Sequence, residues 1–92
     1  MPTRKAPPDA GSVLAWLERA ATDPRHYVWK AVNMALRAIG KRNAALHVSA
    51  VDVARRLAAS PDSTSRRVGR GALRELTSQS VVRRVRAKER AP

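Results

Sequence analysis

Apolar residues recur at helical spacing along much of the chain. In "VLAWLERAAT", Val13, Trp16, Leu17 and Ala20 fall at i, i+3, i+4 and i+7, which predicts an amphipathic helix capped by Ser12. A second stripe, Val28, Val32, Ala35, Leu36 and Ile39, follows Asp23 and Pro24, residues suited to an N-cap and a first helical position. Gly40 supplies a stop there, and Lys41 and Arg42 suit the negative end of the helix dipole. Trp16 lies inside the first stripe and is expected in the core, and Trp29 borders the second and is expected to pack on the first helix. "AALHV" is short and apolar and reads as a brief strand. Ser49 and Asp52 then have capping-box spacing and open a helix that turns Ala50, Val53, Ala54 and Leu57 inward. After Ser80, the β-branched run "VVRRVR" reads as a basic strand.

Between the last two elements lies "STSRRVGRGALREL", Ser63 to Leu76, with four arginines and two glycines in a helical pattern. At about 100° per residue, with Arg66 at 0°, Arg70 falls near 40°, Arg74 near 80° and Arg67 near 100°. Val68, Ala72, Leu76 and Leu73 fall between about 200° and 340°. The predicted helix therefore has an inner apolar face and an outer face of arginines, with Glu75 off the arginine sector. Gly69 points inward, where close packing on the preceding helix explains it. Gly71 borders the arginines, where a missing side chain permits a close backbone approach or marks a helix irregularity.

Charge sharpens this picture. Nineteen Lys and Arg against seven acids give a net +12 in 92 residues. Residues 66–92 concentrate nine of the basic side chains against Glu75 and Glu89. Such an imbalance implies a polyanionic partner, and the guanidinium fork suits phosphates and guanine edges. A membrane surface is a poorer match, because Phe is absent and the most arginine-rich helix is interrupted by glycine. No run approaches the length of a membrane span, and the N-terminus lacks the apolar core of a secretory signal. Cysteine is absent, and His26 and His47 have no second ligand group at metal spacing, so both read as surface or packed histidines. The organisation expected is a disordered basic arm over 1–11, one domain over 12–86 and a frayed basic tail over 87–92.

"HVSAVDVARRL", a polar turn, "STSRRVGRGALREL" and then "VVRRVR" resemble a winged helix-turn-helix domain over residues 46–86. The resemblance implies a mainly α fold of about four helices with a short strand pair or a basic C-terminal strand. It departs from the family in two respects. The span from Leu57 to Leu76 is about five residues longer than the usual spacing, and little sequence after Arg86 remains for a full wing. The resemblance implies that Thr64, Ser65, Arg66 and Arg67 begin a recognition helix in a major groove, with Arg70 one turn on. It places Arg83, Arg84 and Arg86 on a wing strand near phosphates.

The expected function is nucleic-acid binding, foremost to duplex DNA, as a small transcription regulator or an architectural chromatin protein. The candidate contacts are Thr64, Ser65, Arg66, Arg67, Arg70, Arg74, Arg83, Arg84 and Arg86, with Lys41 and Arg42 from the second helix and Arg4 and Lys5 from the arm. Two alternatives are a winged-helix ribosomal protein of the small subunit, similar in its "ALREL" and "VVRRV" rhythm and binding structured RNA in a ribonucleoprotein, and a protein–protein adaptor. A homodimer is compatible with each. No Gly-rich phosphate loop, nucleophile with a base, or metal cluster is visible, so the expectation is a non-enzyme without cofactor. The expected location is the cytoplasm, with the nucleoid or the ribosome.

Overall fold

The computed structural model describes residues 9–90, so most of the expected N-terminal arm, including Arg4 and Lys5, lies outside the described residues, as does the end of the tail. Five helices follow one another: α1 (Ala10–Ala20), α2 (His26–Gly40), α3 (Ala44–Ala58), α4 (Ser63–Leu76) and α5 (Gln79–Arg90). No strand occurs among the described residues, which corrects the expectation of a short strand pair and of a wing.

Both expected strands are helical for identifiable reasons. "AALHV" forms the opening turns of α3, because the Asn43 side chain accepts a hydrogen bond from Leu46 N (2.9 Å) and caps the helix six residues before Ser49. Ser49 then sits in mid-helix and donates to Ala45 O (3.2 Å). In "VVRRVR", a strand would place Val81, Arg83 and Val85 on one face. A helix instead puts Val81 and Val85 together four residues apart, and both are buried while Arg83 stays exposed.

Helix starts also move. Asp9, not Ser12, caps α1 by accepting from Ser12 N (2.7 Å). The Asp23 carboxylate is engaged by Arg25, through its backbone N (3.0 Å) and its guanidinium (2.7 Å), and α2 begins only at His26. Gly40 ends α2 without a left-handed turn; a side chain there would strike Leu76 Cδ2 at 2.6 Å, so its role is close packing.

The core runs through all five helices. Leu14 and Leu17 of α1 and Val32 and Leu36 of α2 meet Ala50, Val53, Ala54 and Leu57 of α3, the inward set expected from the sequence. Val68, Ala72 and Leu76 of α4 are fully buried. The most extensive contact joins α3 and α4, with α2 packed on both, and α5 adds a lighter contact on α3 and α4. Trp16 is 58% exposed, against expectation, because α1 turns Leu14 and Leu17 inward and carries Trp16 on its flank.

Candidate nucleic-acid interface

The outer surface of α4 begins with what its inner surface requires. Asp62 accepts from Ser65 N (2.8 Å) and starts the helix, and this hydrogen bond holds its carboxyl below the ordinary aspartate range. Gly69 then faces α3 so closely that an added Cβ would lie 2.7 Å from Ala54 O and 2.6 Å from the Leu57 carbonyl carbon. That approach locks the rotation of α4 and leaves Arg67, Arg70 and Arg74 on the exposed side, in the sector read from the sequence.

The neighbouring residues refine the set. Ser65 is 1% exposed and faces the core, and Thr64 is half-buried. Arg66 is half-buried and its guanidinium donates to Ser60 O (3.1 Å) and Pro61 O (2.7 Å), bracing the α3–α4 connection while still lining the groove with Arg67, Arg70 and Arg74. The Arg67 guanidinium lies 5.3 Å from the centre of the Trp29 ring, a cation–π stack that ties α4 to α2. Trp29 also meets the His26 ring edge-on at 5.1 Å. Its expected partner was α1.

Gly71 is the hinge point of the surface. It lines the arginine groove and a second groove at the junction of α2, α4 and α5. A Cβ there would come within 3.0 Å of Asn33 Nδ2 and 3.3 Å of an Arg37 guanidinium nitrogen, so the absent side chain lets α2 lay Arg37 against α4. Glu75 draws Lys41 (3.1 Å) and Arg37 (3.5 Å) from α2 toward α4. Arg84 of α5 lines the same second groove, together with Arg74. Arg83 and Arg86 are exposed elsewhere on α5, and Arg42 is exposed on the α2–α3 turn.

The structure thus gathers Arg66, Arg67, Arg70, Arg74, Arg84 and Lys41 into one continuous basic surface. Sequence reasoning missed Arg37, which falls on the border of the α2 stripe, and the hydroxyls of Ser78 before α5 and Ser80 in its first turn. The four-residue spacing of Arg37 and Lys41 was the available signal. His47 is packed, with Nε2 2.7 Å from Leu76 O at the end of α4. No group of His, Asp and Glu at metal-binding spacing occurs among the described residues, and no helix there is long and apolar enough to cross a membrane.

A family model described as "DNA alkylation repair enzyme" matches residues 2–79. No curated protein and no solved structure matches. The family match overturns the winged helix-turn-helix resemblance, whose cadence of capped helix, polar turn and basic helix an all-helical protein supplies equally well. With it fall the transcription-regulator, ribosomal and adaptor readings, and the expectation of a non-enzyme. A DNA partner is compatible with the match.

Proposed function

The chain belongs to the DNA alkylation repair enzyme family, and on that footing we propose that it serves repair by gripping duplex DNA along the outer face of α4. One observation carries the reading: Arg67, Arg70 and Arg74 share an exposed helix face, and the neighbouring carboxylate on the same helix, Glu75, is turned to Arg37 of α2 and Lys41 at its C-terminal end. Surface helices ordinarily intersperse acids with bases at i,i+4. An uncompensated row of guanidiniums is instead suited to successive phosphates, with affinity arising from counterion release.

In this reading Arg67, Arg70 and Arg74 hold the backbone, Arg84 extends the contact onto α5, and Arg66 braces the start of α4. Arg83, Arg86 and Arg42 contribute longer-range attraction, as do Arg4 and Lys5. The cytoplasm, with the nucleoid, is the corresponding location.

The test is a set of binding titrations on plain and alkylated duplexes across salt, paired with a repair assay on the alkylated one. Arg70→Ala should reduce the log–log salt slope by about one. Arg83→Ala, on a separate face, should change it less. Wild-type binding by the triple variant Arg67→Ala, Arg70→Ala, Arg74→Ala would overturn the reading.

A further inference from the structure

We propose that the junction of α2, α4 and α5 is a phosphate-binding pocket that shares Arg74 with the arginine row and extends it onto α5. The ligand's origin in DNA rests on the function proposed above; the pocket itself rests on its own geometry.

Four cationic side chains line it: Arg37 from α2 and Lys41 at its C-terminal end, Arg74 from α4 and Arg84 from α5. A single carboxylate, Glu75, stands among them and is shared by Lys41 at 3.1 Å and Arg37 at 3.5 Å. Arg74 and Arg84 pair with no carboxylate among the described residues. Four cations against one carboxylate leave a net positive charge that attracts an anion.

The hydrogen-bonding groups match. Ser80 lines the pocket beside the cations, and Ser78 Oγ, 3.5 Å from Ser80 Oγ, is already occupied as a donor to Glu75 O (2.6 Å). In the opening turn of α5, Val81 N is taken by Ser78 Oγ (3.4 Å) and Val82 N by Ser78 O (3.0 Å), which leaves Gln79 N and Ser80 N as the donors without a helical carbonyl. Polar contacts at its far end hold α5 beside α2. Lys88 of α5 donates to Lys41 O (2.7 Å), and Glu89 accepts from Ala44 N (2.9 Å), so the end of α5 is fastened to the α2–α3 turn. Gly71 forms the floor against which the Arg37 guanidinium rests.

Guanidinium groups, an ammonium and a hydroxyl lining one groove suit a tetrahedral oxyanion better than a flat base edge. The ligand chemistry is therefore a phosphate group, supplied either by an unbroken backbone or by the end of a strand at a nick.

The experiment follows backbone amide resonances of the full chain during titration with inorganic phosphate. It uses wild type, the double variant Arg74→Ala, Arg84→Ala, and Arg67→Ala as a control outside the pocket. Saturable shifts at Gly71, Gln79 and Ser80 are expected in wild type and Arg67→Ala, and their loss is expected in the double variant. Arg74 and Arg84 are exposed, so the double variant should keep the dispersed spectrum of the folded chain. Shifts that spread over all arginine faces without saturating would overturn the pocket, as would shifts unchanged in the double variant.

Parallel titrations use an intact duplex and nicked duplexes ending in a 5′-phosphate or a 5′-hydroxyl. Tighter binding of the 5′-phosphate form assigns the pocket to a strand end, and equal binding assigns it to the backbone; either supports the phosphate chemistry. If duplex binding depends on Arg70 while phosphate produces no localised shift, the pocket fails and the DNA reading stands. If phosphate saturates the pocket while no duplex binds, the DNA reading fails and the pocket stands.

Discussion

Helices α4 and α5 carry four arginines each, yet they are held in place by different means. Along α4, Ser65, Val68, Gly69, Ala72 and Leu76 are all buried, and backbone meets backbone at Gly69. On α5, Val81 and Val85 are the buried side chains among the described ones, and its far end is fastened by the polar contacts of Lys88 and Glu89. A helix seated by shape fixes the direction of every outward side chain. A helix seated by two valines and a clasp is held less firmly, so arginines of equal charge sit on supports of unequal stiffness.

The comparison can be broken most severely at Val68. Val68→Asp would bury an unpaired carboxylate in the α3–α4 contact, at a cost of several kcal/mol, comparable to the whole stability of a domain this small, about 5 kcal/mol or more. A cooperative thermal melt like that of the wild type would show that α4 is not seated as described. Gly69→Ala comes next. Its new methyl meets backbone atoms of α3, which yield less readily than side chains, so the cost should reach the upper part of the roughly 1–3 kcal/mol typical of overpacking. The midpoint of a denaturant titration measures it.

On α5 the expected effects are smaller and local. Val85→Ala removes two carbons from a buried site, about 1.5 kcal/mol at ~0.8 kcal/mol per CH2. Hydrogen exchange should then quicken along α5 while α4 amides keep their protection. Equal acceleration of both helices would mean that they open as one unit.

The subtlest contrast concerns pH. Asp62 caps α4 and its carboxyl is held below 3.8 chiefly by the hydrogen bond from Ser65 N. A depressed folded-state pKa adds stability above the unfolded value, and that share is lost as pH falls through the folded value. Asp62→Asn keeps an acceptor without the titration, so its acid-unfolding slope below about pH 4 should be shallower than that of wild type. The corresponding hydroxyl at α5, Ser78, receives Val81 N at 3.4 Å and introduces no carboxylate titration of this kind.

The same contrast explains what could be read from the sequence. The boundaries, buried face and arginine face of α4 were legible, because its apolar positions alone satisfy a 3.6-residue period and Gly69 had only an inward reason to be glycine. For α5 the β-branched valines suggested a strand, and the contacts that seat it act at long range, Val81 and Val85 on the core and Glu89 on Ala44 and Lys88 on Lys41. The start of α3 was hidden similarly: Asn43 follows a basic pair and precedes a run too short to show a period. The arginine row was visible as charge. The junction with Arg37 was not, since it depends on α2 crossing α4 at Gly71.

The stack of Arg67 on Trp29 gives the molecule an optical gauge of its own occupancy. The chain has two tryptophans, and Trp16 stands 58% exposed on α1, away from the arginine row. A cation beside an indole alters its emission, so an anion that draws the Arg67 guanidinium off the ring should alter the light from Trp29 and leave Trp16 as an internal reference. With Trp16→Tyr, a single emitter would report engagement of α4 without any attached dye.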